Sequence, residues 1–318
     1  MREVQITSGD IVAERLSAAD PARTVVAWRD VLHEGPVPDV PAAELRRVRA
    51  AFLDAAEADL AAPGVALDEH RDGAYVLWFE ADLFDQLQLI QILARLHALA
   101  VAPERITLIC IGEHLGIARF GGLGELTTGQ LEPLPAHAAA PLTGAALEYA
   151  TRAWAALRAP HPTELATIAV TPSSELRFVA EAFDRLAREY PSTRDGLSLT
   201  ERRLLAAVAA WAPTAGDAFL RAAAREARPF LGDTWAFDRV ARLAAAATPL
   251  LAASPPVDRH TRIALTDAGR RVLDGRADHV ALNGVDRWIG GVQLVGRDVP
   301  WRWDEGTEAI VGERQRRH

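Results

Sequence analysis

Residues 74–86 read AYVLWFEADLFDQ, and the fold turns on how they are interpreted. An apolar run from Tyr75 to Phe79 stops at Glu80, Asp82 and Asp85. A helical pattern of Leu83, Leu87, Ile90, Leu93 and Leu96 begins there. A strand buried on both faces reads as a continuous apolar run, and a strand serving a ligand site has polar residues past its carboxyl end. The pattern therefore predicts a strand over 74–79 and a helix over 84–99.

Three other stretches share this character. Residues 4–7 read as a strand, followed by Ser8-Gly9-Asp10 and an apolar-periodic segment over 11–16. Strand, tight glycine turn and helix start form the opening of a Rossmann-like unit. Ser8 or Asp10 caps that helix, or the exposed N–H groups there take an anion. Residues 24–28, TVVAW, read as a second strand that ends in Arg29 and Asp30. A loop follows with His33, Glu34 and Gly35-Pro36, too polar for core and too rich in proline for helix. Residues 106–111, ITLICI, end at Gly112-Glu113-His114.

Strands alternating with helices predict an α/β fold: a mostly parallel, Rossmann-like sheet with right-handed crossovers and helices on both faces. In such a sheet the strands' carboxyl ends share one edge, where ligands bind. The expected site therefore gathers Ser8, Gly9, Asp10, Arg29, Asp82, Asp85, Gln86 and His114 as ligand-binding residues. Asp30, His33, Glu34 and Glu80 are the acid–base candidates.

Elsewhere, residues 42–60 read as one helix and 63–73 as a loop. The glycine-rich GGLGEL at 121–126 fits a lid or a plain turn. Helical patterns return at 142–157, 163–168 and 174–190, with Trp154 read as core. Residues 191–196 mark a boundary. Beyond it, Ser198 and Glu201 fit a capping box, and helices are expected over 199–211, 215–227 and 233–247. Two short β-like stretches, 249–252 and 262–265, precede a helix over 265–273. Three helices and a two-stranded wing suggest a winged-helix-like domain. Gly290-Gly291 permits close backbone approach, and Asp286, Arg287 and Trp288 are expected to reach a neighbouring surface. The expected layout is an α/β domain over 1–140, a helical connector over 141–195, the winged-helix-like domain over 196–296 and a fraying polar tail over 297–318.

The chain has 318 residues, one cysteine, 49% hydrophobic and 25% charged residues, ordinary for a protein with a substantial core. One cysteine excludes an intrachain disulfide and a thiolate-rich metal site. All 35 basic residues are arginine, which excludes lysine Schiff-base chemistry and a Walker-type phosphate loop. No apolar run is long enough to span a bilayer and no signal-like start is present, so a cytoplasmic location without a membrane partner is expected. Residues 1–150 hold 11 Arg against 22 acids, whereas 196–275 hold 11 against 8, consistent with two modules having different partners.

The motifs Gly9-Asp10, Trp28-Arg29-Asp30 with His33-Glu34-Gly35-Pro36, and Trp78-Phe79-Glu80 with Asp82-Leu83-Phe84-Asp85-Gln86-Leu87-Gln88 go together. So do Gly196-Leu197-Ser198 with Thr200-Glu201, Leu265-Thr266-Gly269, and Asp286-Arg287-Trp288-Ile289-Gly290-Gly291. In these the chain resembles a bacterial protein family whose N-terminal half is a domain of unknown function. The resemblance implies a shared arrangement and a clustered polar site, but no reaction. Gln5 stands where that pattern often has a histidine before the Gly-Asp turn.

Three functions are open at this level. The first is an α/β domain that binds, hydrolyses or transfers a phosphorylated or nucleotide-like small molecule. Asp10, Asp30, Glu80 and Asp82 would hold Mg²⁺ or Mn²⁺, which favour oxygen ligands, and Arg29 would grip the anion. The second is a ligand-sensing regulator that contacts nucleic acid through residues 234–262. There Arg239, Arg242, Arg259 and Arg262 face the opposing charges of Asp233 and Asp238. The third is a non-catalytic interaction scaffold.

Overall fold

The computed structural model describes residues 3–312 and divides the chain into two compact units. One holds residues 1–184 with Gly290–Val292; the other holds Arg185–Ile289 with residues 293–318.

The first unit is built on a sheet of five strands. In chain order it contains β1 (Glu3–Ser8), α1 (Asp10–Ala19), β2 (Thr24–Trp28), α2 (Ala42–Leu53), α3 (Glu57–Glu69), β3 (Ala74–Glu80), α4 (Leu83–Ala98) and β4 (Ile106–Ile111). Then follow α5 (Thr128–Leu131), α6 (Leu134–Ala138), β5 (Ala139–Pro141), α7 (Gly144–Arg158), α8 (Thr163–Ala169) and α9 (Val179–Ala187), whose residues from Arg185 on are counted with the second unit. The strand order is β2-β1-β3-β4-β5, parallel except for the edge strand β5. This is the mostly parallel, helix-flanked sheet expected from the alternating pattern.

β3 lies near the centre of the sheet, which explains its unbroken apolar run. Trp78 joins Val12 and Leu16 of α1, Ile109 of β4, and Leu123, Leu126 and Leu131 in one buried cluster. Tyr75, Leu77 and Phe79, fully buried, point to the other face. The indole N–H of Trp78 donates across to the Gln5 carbonyl at 2.5 Å, so a buried donor and a buried acceptor satisfy each other. The backbone of 290–291 meets this unit edge to edge: Gly291 N donates to Leu157 O at 2.8 Å, and Gly290 O accepts from Val37 N at 2.9 Å.

Three expectations need correction. The helix read over 42–60 is two helices, broken where Asp54 adopts a left-handed conformation, φ 51°. Aspartate tolerates that region better than most residues. The loop read over 63–73 is mostly α3, which carries Pro63 internally. Full burial of Leu67 outweighs the proline's helix penalty, because packing routinely overrides propensity. The helix read over 174–190 is confined to α9, because Ser173 Oγ accepts from Leu176 N in a local turn.

The second unit contains α10 (Leu199–Ala209), α11 (Ala215–Ala223), α12 (Asp233–Ala245), β6 (Leu251–Ala252), β7 (Ala264–Leu265), α13 (Asp267–Leu273) and α14 (His279–Asn283). Two strand pairs follow in the chain, β8 (Val285–Ile289) with β9 (Val292–Gly296), and β10 (Trp301–Asp304) with β11 (Ala309–Gly312). Leu204, Leu205, Val240, Leu243, Leu250 and Val272 form its core. The capping box of Ser198 and Glu201 is present at the start of α10. The segment read as fraying is a hairpin as far as Gly312. Asp304 turns it by accepting from Thr307 N at 2.8 Å, and residues 313–318 lie outside the described part.

Arg287, expected to reach a neighbouring surface, is buried and donates to Glu189 at 2.5 Å. Glu189 also accepts from Arg185 at 2.8 Å and from Thr200. Burial opposes its charge most strongly, but Arg287 and Arg185 outweigh burial and hold the carboxyl far below its ordinary range. Among the described residues, no helix is long and apolar enough to cross a membrane.

Candidate functional site

The carboxyl edge of the sheet carries two distinct arrangements. At the end of β3, Asp82 caps α4 by accepting from Asp85 N at 3.0 Å. Asp85 turns back to accept from Glu80 N at 2.6 Å. Glu80 accepts from Leu123 N, and Gln86 donates to the Glu80 carbonyl at 2.6 Å. Ser8, at the end of β1, hydrogen-bonds the Asp85 carboxyl. One oxygen each from Glu80, Asp82 and Asp85 lie within 4.8 Å of one another.

Three carboxylates this close cannot all stay charged in a dry setting. Burial, reinforced by the Asp82 charge, pushes the Glu80 carboxyl up to about 8. Burial, with Glu80 and Asp82 alongside, also holds Asp85 well above the usual carboxylate range. Both shifts favour the protonated carboxyl. The loop over 121–126 closes on it because Gly122 has φ 142° and no side chain: a Cβ there would lie 2.2 Å from a Glu80 carboxylate oxygen. Cys110 sits nearby, 3.4 Å from Gln86 Nε2. Burial lifts its thiol to about 12, which suits an inert cysteine rather than a nucleophile.

The end of β2 is organised differently. Arg49, only 1% exposed, donates to the Asp30 carboxylate at 2.9 Å. It also donates to the carbonyls of Glu34 at 2.7 Å, Val31 at 2.8 Å and Pro36 at 3.2 Å. One guanidinium thus fixes the loop after β2, and the Asp30 charge is taken up in that pair. Gln88 Nε2 ties the Asp30 carbonyl to α4 at 2.6 Å. His33 is buried edge-on to Phe84, ring centres 5.8 Å apart, and Glu34 is buried beside it in the chain. Asp10 pairs with Arg29 at 2.6 Å, both about half exposed. His114 bridges to Ile117 and lies near Phe120.

Beside this loop lies a cavity of about 420 Å³, bounded by α2, α3, α4 and α7. Trp28, Arg29, Asp30 and Arg49 line it with Arg46, Gln91, Arg95, Trp154 and Arg158. Glu80, Asp82 and Asp85 are not among its lining residues. The strand-end residues thus fall into an acid group, with Ser8 and Gln86, and an arginine-lined cavity, with Arg29 and Asp30. The sequence reading missed Arg46, Gln91, Arg95, Trp154 and Arg158, because they come from three helices whose mutual packing no local pattern encodes. Arg46 and Arg49, three apart on α2, are the one available signal.

In the second unit, Arg239 of α12 is buried and Arg242 pairs with Asp238 at 2.7 Å. No family model and no curated protein matches this chain.

Proposed function

We propose that the first unit binds a small anionic organic molecule, of the phosphorylated or nucleotide-like class, in the cavity beside β2. The observation that supports this is the lining: two tryptophans and five arginines around about 420 Å³, a size usual for small-molecule sites. Arg29, the anion-gripping residue expected from sequence, lies on its wall. A thermal-shift panel of nucleoside monophosphates and aromatic carboxylates tests the reading. A ligand at a hundred times its Kd stabilises by about 2.7 kcal/mol, and Ala61→Trp, which fills the cavity, abolishes the shift. A panel that shifts neither protein refutes it.

A second reading, a divalent cation, is supported by the acid group. Glu80, Asp82 and Asp85 are the residues that would hold Mg²⁺ or Mn²⁺, while Asp10 and Asp30 are engaged by arginines. Bound, the ion would supply positive charge for an anionic substrate. Of the four expected acid–base residues, Glu80 has a carboxyl raised toward neutral pH, as proton transfer requires. Because the cluster holds a proton, cation binding releases one and tightens as pH rises. Calorimetry in two buffers of different ionisation enthalpy reads that release. Absence of Mg²⁺ or Mn²⁺ heat in both wild type and Asp82→Asn removes the reading.

A further inference from the structure

We infer that the cavity beside β2 takes a planar apolar molecule bearing a single negative charge, anchored where Arg46 and Gln91 face it. The inference rests on the proposal that this cavity binds a small molecule, and it specifies that ligand's charge.

Five arginines line the cavity, and four already have carboxylates. Arg29 pairs with Asp10, Arg49 with Asp30, Arg95 with Asp68 at 2.5 Å and Arg158 with Asp39 at 3.0 Å. Arg46 has no hydrogen-bond or ion-pair partner among the described residues, and its Nε is buried without an acceptor. A buried donor left unmade is costly, so this position favours an acceptor supplied from outside. Gln91 adds a second donor. Its carbonyl accepts from the Trp28 indole at 2.7 Å, while its amide NH₂ has no partner among the described residues.

Two donors without partners among the described residues suit a group that only accepts: a carboxylate, a sulfonate or a phosphate diester. One uncompensated guanidinium balances one negative charge. The other four guanidiniums are already balanced by their carboxylates, so a second negative charge would find no cation left for it. A nucleoside triphosphate is thereby disfavoured. Much of the remaining lining is apolar. Trp28 is nearly buried, Leu45 and Leu60 lie alongside, and the Trp154 ring is backed by the Arg158 guanidinium at 5.3 Å. Such walls favour an aromatic body.

Two fluorescent probes separate charge from shape. 8-Anilinonaphthalene-1-sulfonate is an aromatic monoanion, and N-phenyl-1-naphthylamine is the same body without the sulfonate. Both are titrated into the full chain, into Arg46→Gln, Arg46→Lys and Ala61→Trp. The expected result is that Arg46→Gln weakens the sulfonate by about tenfold or more, the value of a charge-assisted hydrogen bond. It leaves the amine unchanged, Arg46→Lys restores part of the loss, and Ala61→Trp expels both probes. If Ala61→Trp expels both but Arg46→Gln leaves the sulfonate unchanged, the charge assignment is overturned and the cavity proposal stands. If neither probe binds, or Ala61→Trp expels neither, both are overturned.

Discussion

Replacing Glu80 by glutamine should make the protein more stable, and increasingly so as the pH rises. The native carboxyl is raised from an ordinary 4.5 to about 8 by burial and by Asp82. A carboxyl with a raised folded pKa contributes stability that is complete below the unfolded value. That contribution declines as pH climbs toward the folded value and is gone above it. Each pH unit in that interval is worth about 1.4 kcal/mol, so the span from 4.5 to about 8 sums to an upper bound of about 5 kcal/mol. At pH 7 more than half of it is already lost. Proton sharing with Asp85 spreads the effect over the pair, so a difference of roughly 2–4 kcal/mol between pH 5 and pH 8 is expected. Glutamine keeps an oxygen for Leu123 N and cannot ionise. Urea unfolding of wild type and Glu80→Gln at both pH values, without divalent ions, measures the difference directly. Titrating groups away from the cluster are common to both proteins and cancel, whereas Asp85, raised in part by the Glu80 charge, changes with it. A stability gap that stays constant from pH 5 to pH 8 would refute the account of a proton-holding acid cluster.

Three further outcomes follow from the same geometry. Arg49→Gln leaves the Asp30 charge buried and strips three carbonyls of a donor, so a loss of about 3–5 kcal/mol is expected in urea unfolding, while Arg49→Met with Asp30→Leu loses less. Gly122→Ala drives a methyl into the Glu80 carboxylate. It should cost about 1–3 kcal/mol and speed amide exchange at Leu123, read by hydrogen-exchange mass spectrometry. Glu189→Gln should destabilise the second unit at pH 7. Because the Glu189 carboxyl is lowered, its contribution is present above the ordinary carboxylate range and lost as pH falls through the folded value, so the gap to wild type should narrow on acidification.

The sheet was legible because each strand is a short apolar run with punctuation at both ends. The acid group was legible for a related reason. Glu80, Asp82 and Asp85 lie within six residues, so a strand, a turn and a helix cap bring them together without help from distant chain. Asp30 shows the opposite case. Its charge is plain in the sequence, but its partner Arg49 lies 19 residues on, in a different element. The loop holding Asp30 was read as functional for its polarity, yet that polarity is largely internal wiring. The cavity was illegible because it exists only where helices separated by up to about a hundred residues meet. The hairpin at 301–312 was hidden because Arg302 on β10 is charged yet buried against Asp278, a long-range pair that no local pattern shows.

The guanidinium of Arg49 has a mechanical consequence. It bolts three carbonyls and one carboxylate of the segment after β2 to a single rigid group, so this wall of the cavity has its shape before any guest arrives. A guest therefore meets a finished surface and loses little by ordering it. Discrimination between guests then falls to side chains outside that anchor: Arg46 on the same helix, Gln91 on α4 and Trp154 on α7.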